Sequence, residues 1–176
     1  KHDELFKTYA RHPKILDVVT SLLGPNLKIY VDQTLCKPKR VGSPKPPHQD
    51  SAYWTTIDPP SLVICWMALD DATEDNGCMR FIPGSHKHGV IEHKHLEDFR
   101  VEDENVDYSN EVTVPLKAGG CSFHHSLALH RTDANRTDPR RIGLTVAYMS
   151  AESKYIGQGE KPDYDLVAGK EFEGCV

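Results

Sequence analysis

The sequence predicts a mainly β protein, either a β-sandwich or a barrel, with helices only at its beginning. Short runs of strand-forming residues recur between turn signals from Leu27 to about residue 150. Apolar residues at helical spacing occur only ahead of Gly24-Pro25. The chain has 176 residues, 38% of them hydrophobic and 27% charged. That composition is typical of one globular domain with a hydrophobic core.

The first 23 residues have the pattern of two short helices. Apolar residues from Ile15 to Leu23 recur at helical spacing. His12-Pro13 interrupts the pattern before them, and Gly24-Pro25 ends it. Residues 1–26 therefore form a predicted helical lead-in that packs against one sheet.

The remaining elements are predicted strands and the loops between them. The strands are expected within residues 28–36, 61–69, 78–82, 111–116, 121–123, 127–130 and 141–149. Residues 37–47 contain four prolines and form a loop, and Asn76-Gly77 is a hairpin signal. Residues 88–110 are polar and indicate a surface excursion. We expect one domain over 1–176, with its β core over 27–150 and a loosely packed tail over 151–176.

Charge and cysteine content narrow the class of protein. Twenty-one Lys and Arg against 26 Asp and Glu give a net charge of −5, so no basic surplus favours a nucleic-acid or anionic-membrane partner. The apolar runs are too short to span a bilayer. Five cysteines without CxxC spacing predict reduced thiols and a cytoplasmic location. A small molecule is the expected partner, and nothing indicates an oligomeric state.

Three residues form a candidate iron site. His48 and Asp50 are two residues apart, so on an extended segment both side chains point the same way. His130 follows a Leu-Ala-Leu strand, at an end that can face a cavity. Two imidazoles and one carboxylate bind one face of Fe(II) and leave the other face for a co-substrate and O2.

An arginine that could bind the carboxylate of a co-substrate follows these three residues in sequence. Arg141 comes eleven positions after His130 and opens the last predicted strand. A guanidinium binds a carboxylate through two parallel hydrogen bonds, and a dicarboxylate co-substrate would supply that carboxylate. Arg140 is its neighbour and points to the opposite face. Spacing from His130 favours Arg141, and the compact turn over residues 136–140 keeps Arg140 as the alternative.

Four blocks of sequence carry a family resemblance. They are His48-Gln49-Asp50 followed by Ser-Ala-Tyr-Trp, the stretch from Ile64 to Asp71, the stretch from Asn76 to His86, and the stretch from His130 to Asn135 together with Arg141. In this order and spacing the chain resembles the phytanoyl-CoA dioxygenase family of Fe(II)- and 2-oxoglutarate-dependent oxygenases. The Asn-Gly-Cys and Pro-Gly-Ser-His segments of the third block are the most specific part.

The resemblance implies a double-stranded β-helix, the jelly-roll of cupin-like proteins, with Fe(II) held by His48, Asp50 and His130. It implies that 2-oxoglutarate chelates the iron and that its far carboxylate meets Arg141 and Thr132. Further residues are expected to line the co-substrate pocket: Gln33, Trp66 and, more weakly, Gln49. The candidates for the substrate wall are Tyr53, Trp54 and His125.

The implied reaction uses O2 and 2-oxoglutarate to oxidise an unactivated C–H bond of a small organic substrate, releasing succinate and CO2. Related halogenases carry Ala or Gly at the position of Asp50, so a carboxylate there favours hydroxylation or a related oxidation such as desaturation. The basic loop residues Lys37, Lys39, Arg40 and Lys45 could attract an anionic substrate.

The chain departs from the family pattern in three places. Only two short helical stretches precede Leu27, Arg131 replaces the usual small residue after the distal histidine, and the turn over residues 136–140 is compact. Two alternatives remain. One is a non-catalytic cupin-like protein that keeps the metal ligands, and the other is a zinc hydrolase with the same ligand set.

Overall fold

The computed structural model describes residues 3–96 and 98–176, and it begins with the two predicted helices. Helix α1 covers Glu4–Ala10, and the Asp3 carboxylate caps it by accepting from the Leu5 N–H. Helix α2 covers Pro13–Leu23. Proline suits its first position, because the N–H that proline lacks would have no partner within the helix there. It ends at Gly24, whose φ of 93° suits a residue without Cβ.

Most of the remaining regular structure is β. The strands in the described part of the chain are β1 (Leu27–Lys37), β2 (Lys45–His48), β3 (Ile57–Asp58), β4 (Val63–Ala68), β5 (Met79–Phe81), β6 (Lys94–His95), β7 (Phe99–Arg100), β8 (Val112–Val114), β9 (Cys121–His125), β10 (His130–Thr132), β11 (Arg141–Ser150), β12 (Lys154–Tyr155) and β13 (Leu166–Ala168). The predicted excursion over 88–110 contains the short β6–β7 pair.

Nine of these strands form two antiparallel sheets. The larger has the order β13-β1-β11-β4-β9, and the smaller has the order β2-β10-β5-β8. Side chains from both sheets line one cavity, so the sheets face each other across it. This is the mainly β, jelly-roll arrangement that the sequence predicts.

Strand β4 shows how the large sheet separates core from cavity. All six of its residues are buried, because both faces of the strand are covered. Val63, Cys65 and Met67 belong to the apolar core that includes Ile15 and Val19 of helix α2. The alternate residues Ile64 and Trp66 point into the cavity. The helices therefore cover the face of the large sheet that is turned away from the cavity.

The C-terminal segment is better packed than expected. We predicted a loose tail, but β13 pairs with β1 at the edge of the large sheet, and β12 pairs with β3. Tyr164 and Val176 are 5% and 1% exposed, and both join an apolar cluster with Ile64 and Met149. Within the described residues, no helix is long and apolar enough to cross a membrane.

Candidate metal centre

The three predicted ligands meet where the small sheet opens onto the cavity. His48 ends β2 and His130 begins β10, and the two are direct partners in the antiparallel ladder. Asp50 opens a short 3-10 turn just after β2. Its Oδ1 lies 3.7 Å from His48 Nε2 and 3.8 Å from His130 Nε2. One ligand atom from each residue lies within 4.8 Å of the others, close enough to share an ion.

Backbone carbonyls fix the tautomer of both histidines. His48 Nδ1 lies 2.9 Å from the carbonyl of Pro46, and His130 Nδ1 lies 2.9 Å from the carbonyl of Ala128. A carbonyl only accepts, so each Nδ1 carries the proton and each Nε2 keeps a free lone pair. This is the arrangement in which imidazole binds a metal while its other nitrogen orients the ring.

The charges of the set also suit a divalent cation. Burial lowers the pKa of His130 to about 3 and also lowers the pKa of His48, so both rings are neutral near pH 7. Burial alone would raise the pKa of Asp50, but the surrounding imidazoles of His130, His124 and His48 hold it well below its usual range. The set therefore offers two neutral nitrogens and one carboxylate.

The cavity beside these ligands has a volume of about 660 Å³, and Arg141 is one of its lining residues. Arg141 is 2% exposed, and its Nη2 donates to the carbonyl of Gly77 at 2.5 Å. The guanidinium lies 5.0 Å from the Trp66 ring centroid. Burial lowers its pKa to about 10, which leaves it cationic. Among the ion pairs of the described residues, none involves Arg141, so a buried cation faces the cavity without a carboxylate partner.

Unpaired polar atoms gather around the same cavity. In the described part of the chain, six buried side-chain atoms have no hydrogen-bond partner: Trp66 Nε1, Ser122 Oγ, His124 Nδ1, Thr132 Oγ1, Arg141 Nε and Thr145 Oγ1. Five of these residues line the cavity, and Ser122 pairs directly with Trp66 across the sheet. Buried polar groups normally have partners, so such a cluster indicates a site for a polar ligand. The N–H and O–H groups near Arg141 fit a carboxylate, and the residues present thus fit iron with 2-oxoglutarate.

Four of the predicted co-substrate residues line the cavity. Thr132, Trp66 and Arg141 line the cavity, and Gln33 lines it at an exposed position. Arg140 is exposed and lies 3.4 Å from Asp70, so Arg141 is the arginine that faces the site.

Gln49 has a different role from the one we expected. Its side chain is fully buried and donates to the carbonyls of Gly89 and Leu127, at 2.9 and 2.7 Å. Its Oε1 accepts from the Ile91 N–H. These bonds tie the excursion to the core and point the amide away from the residues that line the cavity. We therefore remove Gln49 from the co-substrate set.

The predicted substrate wall is partly correct in position. Tyr53 and Trp54 line the cavity. His125 does not belong to its lining; its Nε2 lies 3.1 Å from Ser61 Oγ, and its ring stacks on His86 at 5.4 Å. His124 and His125 are neighbours on β9, and alternation along the strand sends only His124 into the cavity.

The basic loop offers less free charge than its sequence suggested. Lys37 is buried and donates to the carbonyl of Ser43. Arg40 pairs with Asp138 at 2.6 Å, and Lys45 pairs with Asp98 at 2.6 Å. Three of the four cations are therefore already bound within the protein. This weakens the case for an anionic substrate attracted by the loop.

Thr145 is a polar cavity residue that the sequence analysis did not identify. Thr145 lies on the same face of β11 as Arg141, and between them stands Gly143, where a Cβ would lie 2.2 Å from Trp66 Cζ2. Alternation along the strand from Arg141 was the signal that could have identified Thr145. His124 also lines the cavity, and its sequence neighbours gave no sign of its partner, Asp50.

Comparison with known proteins agrees with this geometry. The family model for phytanoyl-CoA dioxygenase matches residues 1–143. A zebrafish (Danio rerio) protein, phytanoyl-CoA dioxygenase domain-containing protein 1, is 31% identical over 160 residues, which are 86% of this chain and 55% of that protein. The chain thus spans little more than half the length of this relative.

Two solved structures resemble the whole described fold. The non-heme monooxygenase ThoJ matches with a TM-score of 0.85 and 31% identity over 97% of this chain and 64% of that one. The epimerase SnoN, solved with Fe3+, alpha ketoglutarate and nogalamycin RO, matches with a TM-score of 0.75 and 26% identity over 96% of this chain and 72% of that one. The chain belongs to the phytanoyl-CoA dioxygenase family of iron- and 2-oxoglutarate-dependent enzymes.

Proposed function

We propose that this protein is a 2-oxoglutarate-dependent non-haem iron dioxygenase that hydroxylates an unactivated C–H bond of a small organic molecule. The observation that carries the proposal is the convergence, on one cavity, of a His-Asp-His set and a buried guanidinium without a carboxylate partner. A cupin-like protein that only binds a metal would have no use for that cation.

Each residue has a task in this reaction. His48, Asp50 and His130 would hold the iron by one face. Arg141 would bind the far carboxylate of 2-oxoglutarate, with the Thr132 hydroxyl as a second donor. Iron with 2-oxoglutarate and O2 supplies the oxidation, which converts the co-substrate to succinate and CO2 and transfers one oxygen atom to the C–H bond.

The mouth of the cavity supports an uncharged substrate. Tyr53, Trp54 and the exposed Leu35 and Val41 are among its lining residues. The nearby cations Arg40 and Lys45 are paired with carboxylates. The charges of these two side chains are therefore balanced within the protein, and apolar surface is left for the substrate.

Spectroscopy under anaerobic conditions tests the proposal directly. Fe(II) and 2-oxoglutarate together should give a weak visible charge-transfer band that neither gives alone, and Asp50→Ala should abolish it. Succinate formation on admission of O2 should then rise with the correct substrate. A protein that binds Fe(II) but gives neither the band nor any 2-oxoglutarate turnover would refute the proposed activity.

A further inference from the structure

His124 contacts Asp50, one of the proposed metal ligands. It projects from β9 into the cavity, and its side chain is 5% exposed. Its ring centroid lies 4.9 Å from those of both Phe81 and His130. His124 Nε2 is 3.3 Å from Asp50 Oδ2, whereas the other oxygen of Asp50, Oδ1, faces His48 and His130. The two carboxylate oxygens thus have separate partners.

The proton on His124 can be assigned from its surroundings. Nδ1 is buried and has no hydrogen-bond partner among the described residues, so a proton there would be an unsatisfied buried donor. Such a group costs about 1–3 kcal/mol. Nε2, by contrast, faces a carboxylate that only accepts. The proton therefore belongs on Nε2, the opposite tautomer from His48 and His130.

This difference separates the three imidazoles by role. In His48 and His130, Nδ1–H is held by a carbonyl and the bare Nε2 faces the metal position. In His124, Nε2 carries the proton and its lone pair is not available to a metal. His124 is also outside the group of ligand atoms that lie within 4.8 Å of one another.

We propose that His124 is a positioning residue that holds Asp50 Oδ2 by a hydrogen bond, so that Asp50 binds the metal through Oδ1 alone. The proposal rests on the proposed iron site, but not on turnover. A carboxylate bound through one oxygen leaves a coordination position that a two-oxygen carboxylate would occupy. Hydrogen bonds to metal-binding side chains are worth about 10–100-fold in metal affinity.

Metal binding by two variants, His124→Gln and His124→Phe, tests this role without substrate. The side-chain amide of His124→Gln can place its N–H where Nε2 lies, whereas His124→Phe keeps the ring and loses the donor. We expect His124→Phe to bind Co(II) about 10–100-fold more weakly than the parent protein, and His124→Gln to recover most of that loss. The visible Co(II) spectrum should change in the phenylalanine variant towards a higher coordination number and stay parent-like in the glutamine variant.

Controls keep the outcome decisive. His88→Phe removes an exposed imidazole on the 3-10 turn and should not alter Co(II) affinity or spectrum. If His124→Phe does not fold, as judged by circular dichroism, His124→Asn replaces it, because its shorter amide cannot reach Asp50. Parent-like affinity in the variant without a donor would overturn the proposal, and so would an equal loss in His124→Gln. Failure of the parent to turn over 2-oxoglutarate while it binds Co(II) would refute only the proposed activity.

Discussion

Replacing Gly143 with alanine tests how the floor of the cavity is packed. A Cβ at this position would lie 2.2 Å from Trp66 Cζ2 and 2.6 Å from Trp66 Cε2. Carbon atoms in contact lie about 3.5–4.0 Å apart, so the indole would have to move by roughly 1–2 Å. Trp66 is 1% exposed and its ring stacks near the Arg141 guanidinium. The displacement would therefore disturb both the core and the carboxylate site.

Overpacking of this kind costs about 1–3 kcal/mol. For a chain of this length each kcal/mol lowers the melting temperature by about 2–4 °C, so we expect Gly143→Ala to melt about 2–12 °C below the parent. Affinity for 2-oxoglutarate should fall as well, because Arg141 loses its stacking partner. Thermal unfolding and titration of the metal-loaded protein with 2-oxoglutarate measure the two effects.

A double-mutant cycle with Trp66→Phe identifies the clash as the cause. Phenylalanine lacks the ring atoms nearest Gly143, so alanine should be tolerated better in that background. We expect a coupling free energy of at least about 0.5 kcal/mol between the two sites. Additive effects, or a Gly143→Ala protein as stable as its parent, would show that the stated contact does not govern packing here.

Three further predictions concern single side chains. Arg141→Met should weaken 2-oxoglutarate binding about 10–100-fold, since hydrogen bonds to charged groups are worth about 1.5–3 kcal/mol; Arg140→Met is the matched control, and calorimetry showing equal losses would reject the assignment. Gln49→Ala should cost about 1–3 kcal/mol of stability and speed hydrogen exchange over residues 89–91, with 2-oxoglutarate affinity retained; loss of affinity at unchanged stability would return Gln49 to the pocket. The metal-free protein should lose stability as pH falls from 6.5 towards 3, because His130 has a pKa of about 3 when folded and 6.5 when unfolded. The free energy of unfolding should fall by up to roughly 1.4 kcal/mol per pH unit because of this residue. Urea unfolding measures this slope, and the same slope in His130→Gln would contradict the assigned cause.

Local sequence patterns identified much of the site before any fold was known. His48 and Asp50 are two residues apart in sequence, so an extended backbone is enough to direct both side chains to one side. The choice of Arg141 over Arg140 needed the structure. The two differ by one position on a strand, and only the placement of β11 between β1 and β4 decides which face is buried.

Contacts between segments distant in sequence explain why the expected roles of some residues differ from the structure. The family resemblance made Gln49 a weaker candidate for the co-substrate pocket, but its amide donates to the carbonyls of Gly89 and Leu127, which lie far along the chain. Arg40 and Lys45 of the proline-rich loop looked free because their carboxylate partners, Asp138 and Asp98, are also distant in sequence. Hydrogen-bond and ion-pair partners of this kind depend on the fold and leave no local pattern.

The sequence by itself predicted the mainly β fold, the helical start and the candidate metal ligands, because these follow from strand and helix periodicity, from side-chain chemistry and from the family resemblance. The tertiary structure alone decided that the C-terminal segment completes the large sheet, that Arg141 is buried against Trp66, and that His124 faces Asp50. Each of these depends on antiparallel pairing between segments distant in the chain, and the register of that pairing is set by the packing of the whole sheet.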